Sequence, residues 1–123
     1  MDQEELKSRT KQFAMRIIKL VRYLNEHGSI AAKIIANKQL IRCGTAVASG
    51  YRAACRCQSR KDFIAKMNIE VEECDETQLW LELLTESGLV KLYFVKDLLK
   101  ESGELTAIMT ASKNSAIKNQ SRK

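Results

Sequence analysis

The chain contains no proline, and this absence limits its fold more than any other feature of the sequence. Aromatic residues make up 6% of the sequence, while Ala, Leu, Ile, Lys and Glu, most of which favour helix, dominate it. The usual markers of strands and tight turns are therefore scarce. Because 123 residues suffice for one domain with its own core, we expect a single all-α domain.

Capping signatures and glycines divide the chain into four predicted helices. The predicted starts of the first three are Asp2, Ser29 and Ser59, and their predicted ends are Gly28, about Cys57 and Gly88. A fourth helix is predicted from apolar residues at helical spacing between Leu92 and Met109. The second and third helices are joined by a very short link and should lie antiparallel. We expect the bundle over residues 1–110 and a basic, polar tail, frayed or disordered, over 111–123.

Charge is distributed unevenly along the chain, whose net charge is +6. The segment 33–66 has eight Lys or Arg and one Asp, whereas the segment 67–88 has seven acids and no base. A basic surface of this kind attracts phosphates. It could equally pair with the acidic segment.

The basic residues of the second helix share one side of a helical wheel. At about 100° per residue, five cations fall on one narrow stripe if the helix extends to Arg60: Lys38, Arg42, Arg52, Arg56 and Arg60. The opposite side is apolar and includes Gly44. Gly44 and Gly50 belong to two separate series of small residues spaced by four, which we interpret as surfaces for close helix packing. The stripe is the candidate nucleic-acid-binding site.

The residues that usually carry catalysis or bind metals form no recognisable site. The cysteines are Cys43, Cys55, Cys57 and Cys74, which lack the paired C-x-x-C spacing of zinc ligands and are interpreted as reduced thiols in the core. The single His27 adjoins a predicted helix end, and the acids of the third helix are interpreted as a solvated or ion-paired face. We expect no catalytic residues, metal or cofactor, and a protein that is not an enzyme.

The N-terminal segment is charged, and no apolar run approaches the roughly 20 residues of a membrane span. We therefore expect a cytoplasmic protein with no membrane partner.

The third helix has two apolar stripes where a helix of a monomeric bundle needs one. The first, around Met67, is the expected core face. The second predicts an oligomer interface, made of Ile69, Glu72, Glu76, Trp80 and Leu83. Scattered surface hydrophobes are the alternative interpretation, although tryptophan is enriched at interfaces. If the acidic helix meets the basic helix of the next copy, a head-to-tail ring can form.

Three segments of the chain resemble the bacterial four helix bundle protein family, also called the intervening-sequence ribosomal protein family. They are QLIR at 39–42, YRAACRCQSRKDF at 51–63 and DETQLWLELL at 75–84, within a resemblance from about Ile17 to Met109. The resemblance implies a left-handed, antiparallel up-down-up-down four-helix bundle, often assembled as a ring-shaped homopentamer. It also implies no enzymatic activity. Some members are accessory proteins of diversity-generating retroelements that bind a reverse transcriptase and nucleic acid.

Two positions depart from the family pattern. Gly50 and Ala53 stand where relatives usually have Asn and Glu. The basic positions of the pattern match Arg42, Arg52, Arg56 and Arg60, and its acidic and aromatic signature matches Asp75, Glu76 and Trp80. The leading hypothesis is therefore a homo-oligomer whose basic surface binds RNA or DNA, as an accessory to a reverse transcriptase. The alternative is a structural or protein-interaction module whose basic stripe pairs with a neighbouring subunit and binds no nucleic acid.

Overall fold

Helices account for all the regular structure in the computed structural model, which describes residues 1–121. Helix α1 spans Gln3–His27, α3 spans Arg60–Glu86 and α4 spans Leu92–Ser121. Between α1 and α3, helix α2 consists of three consecutive parts, which are Ile30–Ile35, Ala36–Leu40 and Ile41–Cys55. No strand occurs in this described range, and the four helices are consistent with a four-helix bundle.

Side-chain caps begin the first three helices where the sequence predicts them. The capping side chains each accept a hydrogen bond from the backbone N–H three residues on, at 2.8 Å for Asp2, 3.2 Å for Ser29 and 3.1 Å for Ser59. Each cap of this kind stabilises a helix by about 1 kcal/mol. Gly88 follows the end of α3 with φ +81, a backbone conformation that favours glycine.

The middle of α2 departs from the α-helical pattern. Residues Ala36–Leu40 form one π-helical turn, which changes the phase between the two ends of the helix. The helix ends at Cys55, and Arg60 is the first residue of α3. The prediction of a single stripe of five cations is therefore wrong for Arg60, because the helix does not extend far enough to include it.

The core lies between the four helices and is built mainly from aliphatic and sulfur-containing side chains, with the aromatic rings of Phe13 and Tyr51. Each helix contributes residues with no exposed surface, including Ile17 from α1, Val47 from α2, Met67 and Leu81 from α3, and Leu105 and Met109 from α4. Helices α1 and α2 approach closely at Gly44, where an added Cβ would lie 2.7 Å from Ile17 Cγ2. The interpretation of Gly44 as a close-packing position is confirmed.

Polar contacts join α1 to both of its neighbours. Arg9 donates hydrogen bonds of 2.7 and 2.6 Å to the carboxylate of Glu101 on α4 and one of 3.1 Å to Glu104. Hydrogen bonding to Arg9 lowers the pKa of Glu101. On the other side, Asn25 and Asn37 exchange two amide hydrogen bonds between α1 and α2.

Helix α4 is longer than the sequence predicts. The predicted tail begins at residue 111, whereas the helix continues to Ser121. Ser112 and Ala116 are half-buried, so this part of α4 still packs against the bundle. Residues 122 and 123 of the predicted tail lie outside the described residues. Within residues 1–121, no helix has both the length and the apolar character needed to cross a membrane.

Candidate nucleic-acid interface

The five predicted nucleic-acid-binding cations lie in different surroundings. Lys38 is exposed on the π-helical turn of α2, and Arg60 donates a 3.1 Å hydrogen bond to the carbonyl oxygen of Asn119 on α4. Arg42 lies on the side of α2 that faces α3, whereas Arg52 and Arg56 line a cleft between α2 and α1. The structure brings only Arg52 and Arg56 together in one cleft.

Arg42 is ion-paired within its own chain. Its guanidinium donates to the carboxylate of Glu76 and lies 3.8 Å from Glu73 Oε2, both on α3. Hydrogen bonding to Glu76 raises the pKa of Arg42. The same Glu76 carboxylate accepts a long hydrogen bond of 3.5 Å from Trp80 Nε1. The basic helix and the acidic helix are thus already complementary at this point within one subunit.

Arg52 and Arg56 line a cleft of about 460 Å³ together with residues from the first half of α1. This basic cleft is lined by Glu4, Lys7, Ser8, Lys11, Gln12, Arg52 and Arg56. It contains four cations and a single acid, Glu4, which forms a 3.1 Å ion pair with Lys7. The surrounding potential is therefore positive.

Lys7 and Lys11 are not among the predicted binding residues, because they lie on α1, more than 40 residues before Arg52. Only the packing of α1 against α2 brings the two pairs together. Their spacing was nevertheless a usable signal, since positions four apart share a helix face. The pair Lys7 and Lys11 has the same spacing as the pair Arg52 and Arg56.

The groups in the basic cleft are those that bind phosphates. Within each pair the cations are about 6 Å apart along the helix axis, at a rise of about 1.5 Å per residue. Arginine provides a planar fork of donors and lysine a compact charge, and both form charge-assisted bonds to phosphate oxygens. Ser8 and Gln12 add neutral side-chain donors on the same wall.

The predicted oligomer interface on α3 is partly exposed. Ile69 and Leu83 are 52% and 42% exposed, and Glu72 between them is also exposed. Trp80 is half-buried and packs against the core, while Glu76 pairs with Arg42. Leu79, which is not among the predicted interface residues, is 48% exposed. The apolar stripe on the outside of α3, called here the α3 stripe, is therefore made of Ile69, Leu79 and Leu83.

One acidic residue of α3, Glu70, does not lie on a solvated or ion-paired face. Glu70 is fully buried, and neither of its carboxylate oxygens has a hydrogen-bond partner. It occupies space left by Gly50 on α2, where an added Cβ would overlap Glu70 Oε1. Burial, and to a smaller extent the charge of Glu73, raises the pKa of Glu70 to about 8. For Glu70 the sequence-based interpretation is wrong, because α3 turns this carboxyl toward α2.

The cysteines have the surroundings of structural residues. All four are free thiols, and Cys43 and Cys74 are buried. Burial raises the pKa of both of these thiols. A thiol in such surroundings is a poor nucleophile. In the described range no three His, Cys, Asp or Glu side chains are grouped so that they could hold a metal ion.

The family of the chain follows from its match to a family model. The model for the 23S rRNA-intervening sequence protein matches residues 3–111. The chain belongs to this family. The resemblance to intervening-sequence proteins expected from the three sequence segments is thereby confirmed.

A solved structure is similar to nearly the whole of this intervening-sequence protein. It is the crystal structure of a protein of unknown function from the S23 ribosomal protein family of Bacteroides thetaiotaomicron VPI-5482. The TM-score is 0.80 at 29% sequence identity, and the similarity covers 93% of this chain and 99% of that chain. No curated protein shows significant similarity to the chain.

Proposed function

We propose that this intervening-sequence protein is a non-enzymatic helical oligomer that binds nucleic acid through the basic cleft in the cytoplasm. The observation that carries the proposal is the convergence of two lysines and two arginines around one cleft, with a single acid. Two helices supply the cations, so the site depends on the folded bundle. A single basic segment that bound nucleic acid by its charge alone would not need cations from two helices.

Contacts to phosphates give affinity for nucleic acid without a preference for base sequence. Each Lys or Arg that neutralises a phosphate releases condensed counterions, and this release makes binding strongly dependent on salt. Charged and neutral donors on backbone phosphates fix position without reading bases. The ligand class is therefore RNA or DNA recognised by charge.

The bundle is proposed to be antiparallel, up-down-up-down, and assembled into a ring-shaped homopentamer. Contacts that run in opposite order along α1 and α2 support the antiparallel arrangement, since Ile17 meets Gly44 whereas the later Asn25 meets the earlier Asn37. The exposed α3 stripe supports self-association. The ring and the role as accessory to a reverse transcriptase of a diversity-generating retroelement rest on the family resemblance.

A structural module that binds no nucleic acid is the second candidate function. The ion pairs of Arg42 with Glu76 and Glu73 favour it, because they show that the acidic helix can neutralise the basic one. The same pairing between subunits would neutralise the basic cleft. The two candidates therefore differ in whether Arg52 and Arg56 contact phosphates or a neighbouring copy.

Charge reversal of one pair in the basic cleft separates the two candidates. We expect the double variant Arg52→Glu with Arg56→Glu to lower affinity for RNA and DNA at least 100-fold at low salt, because two attractive contacts become repulsive. Fluorescence anisotropy with labelled oligonucleotides measures the affinity. Both residues are exposed, so helix content and thermal unfolding should stay unchanged.

The matched control is Lys96→Glu with Lys100→Glu, a second exposed pair of cations four residues apart on α4. We expect this control to bind nucleic acid within about threefold of the wild type, since neither lysine lines the basic cleft and salt screens charge effects over distance. Dissociation of the oligomer by the Arg52 and Arg56 substitutions, without any wild-type binding at low salt, would support the structural module and overturn the proposal.

A further inference from the structure

Four aromatic side chains form an exposed cluster where α1 ends and α4 begins. The ring of Tyr23 lies 4.8 Å from that of His27 and stacks on Phe94 at 5.2 Å with an interplanar angle of 29°. Tyr93 stands edge-on to Phe94 at 5.5 Å. Tyr93 and Phe94 are 77% and 47% exposed, although burying each of these rings would be favourable.

The cluster borders a second cleft, of about 330 Å³, which has cations on its wall. This aromatic cleft is lined by Arg16, Lys19, Leu20, Tyr23, Phe94, Asp97 and Leu98. It contains two cations and one acid, with leucines and the two stacked rings as its apolar surface. Flat aromatic surface beside Lys and Arg fits a ligand that combines flat rings with negative charge.

We propose that the aromatic cleft binds an unpaired base of a single-stranded nucleic acid, stacked on one exposed ring face of the cluster formed by Tyr23, Phe94 and Tyr93, with an adjacent phosphate on Arg16 or Lys19. Aromatic platforms beside positive charge bind single strands because every base has a face that can stack. Bases inside a duplex are already stacked on each other and cannot reach such a platform. This inference rests on the proposed function and specifies it, because it makes a single strand the preferred ligand.

The aromatic cleft and the basic cleft are connected along α1. Lys11, Met15, Lys19 and Tyr23 follow each other at intervals of four residues, so they form one ridge on the helix surface. Lys11 lines the basic cleft, and Tyr23 lines the aromatic cleft. At a rise of about 1.5 Å per residue they are about 18 Å apart along the axis. A single strand along this ridge would have its phosphates on the lysines and a base on the rings.

Removal of the rings without a change of charge tests the proposal. The test variant is Tyr23→Leu with Phe94→Leu, and the ring-preserving control is Tyr23→Phe with Phe94→Tyr. The probes are a single-stranded oligonucleotide of about 12 nucleotides, within the usual range of single-strand site sizes, and the matching duplex. Both probes contain 2-aminopurine, whose fluorescence falls when the base stacks.

We expect the leucine variant to lose about tenfold in single-strand affinity, within the roughly 5- to 150-fold that stacking of one base is worth. Its duplex affinity and its salt dependence should stay unchanged, because no phosphate contact is removed. The control variant should keep both the affinity and the fluorescence quenching. Should the leucine variant unfold, Tyr93→Leu gives a second test at the most exposed ring, with an expected loss of about threefold.

Three results would overturn the inference. The first is that the leucine variant keeps the single-strand affinity and the quenching of the wild type, while charge reversal at Arg52 and Arg56 abolishes binding. This result would overturn the inference about the aromatic cleft and leave the proposed function in place. A change in oligomeric state of the leucine variant without nucleic acid, with binding intact, would assign the rings to a contact between copies. Absence of any wild-type binding to either probe at low salt would overturn the proposed function as well.

Discussion

Glu70 is an ionisable side chain that is fully buried and has no hydrogen-bond partner for its carboxyl oxygens. A carboxyl buried without hydrogen bonds is costly when charged, which is why its pKa is raised to about 8 by burial. Glu73 on the same helix adds repulsion to the charged form. Gly50 provides the space opposite, and Tyr51 and Cys74 are close enough for Glu70 to raise their pKa values further.

The raised pKa makes the stability of the protein depend on pH. Folded Glu70 holds its proton up to pH about 8, whereas unfolded Glu70 releases it near 4.5. The folded state therefore binds more protons between these values, and stability falls as pH rises from about 4.5 to about 8. At about 1.4 kcal/mol per pKa unit the loss is on the order of 5 kcal/mol.

Replacement of the carboxyl by an amide should remove this loss. We expect Glu70→Gln to be close to the wild type in free energy of unfolding near pH 4.5 and several kcal/mol more stable than it above pH 8. Urea unfolding at fixed protein concentration measures the difference. Glu72→Gln, an exposed neighbour, is the control and should leave the wild-type pH profile in place. Equal pH profiles for wild type and Glu70→Gln would contradict a buried, neutral Glu70.

Two glycines show how much free space surrounds the helix backbone at different places in the bundle. Gly44 lies in the α1–α2 contact, where a Cβ would be 2.7 and 2.9 Å from two atoms of Ile17. Gly103 lies inside α4, and a Cβ there would have its nearest neighbour, Gln78 Nε2, at 3.4 Å. The same substitution should therefore have opposite effects at these two positions.

We expect Gly44→Ala to lower the free energy of unfolding by about 1 to 2 kcal/mol, because overpacking outweighs the gain in helix propensity. Gly103→Ala should raise the free energy of unfolding by up to about 1 kcal/mol, since alanine has a higher helix propensity than glycine and its Cβ meets little steric hindrance there. Chemical denaturation of the two variants side by side measures both changes. An equal gain in stability from both variants would show that α1 and α2 are not in close contact at Gly44.

Local signals predict the four helices well and the site only in part. Asp2, Ser29 and Ser59 cap helices through bonds within three residues, so the sequence alone carries that information. The π-helical turn at Ala36–Leu40 has no comparable local signal. The cleft that joins Lys11 to Arg52 depends on packing between helices, which periodicity along one helix does not specify. Burial of Glu70 depends on the same packing.

The basic cleft and the α3 stripe lie on different helices of the bundle. The basic cleft between α1 and α2 carries an excess of cations, while Glu72 and the apolar α3 stripe lie on α3. If subunits associate through the α3 stripe, the basic clefts of several copies act on one nucleic acid and affinity increases through multivalency. The proposed oligomer and the proposed ligand are therefore linked.

Substitution in the α3 stripe should dissociate the proposed oligomer without unfolding its subunits. We expect Leu79→Glu with Leu83→Glu to give monomers at micromolar concentration, because it places charge in the centre of an apolar contact. Analytical ultracentrifugation measures the mass, and circular dichroism should show unchanged helix content. The control is Ile117→Glu, an exposed apolar position on α4. An unchanged mass for the double variant would mean that the α3 stripe is not the interface.

Salt dependence of binding reports how many cations contact phosphates, and it tests the proposed nucleic-acid function of the basic cleft. The measurement is the affinity of the wild-type protein for a single-stranded oligonucleotide between about 50 and 200 mM salt, the range over which phosphate contacts are lost. With four cations in the cleft, we expect the logarithm of the association constant to fall with the logarithm of salt at a slope of about −3. A slope near zero, or no binding at the lowest salt, would contradict a phosphate-binding role for the cleft.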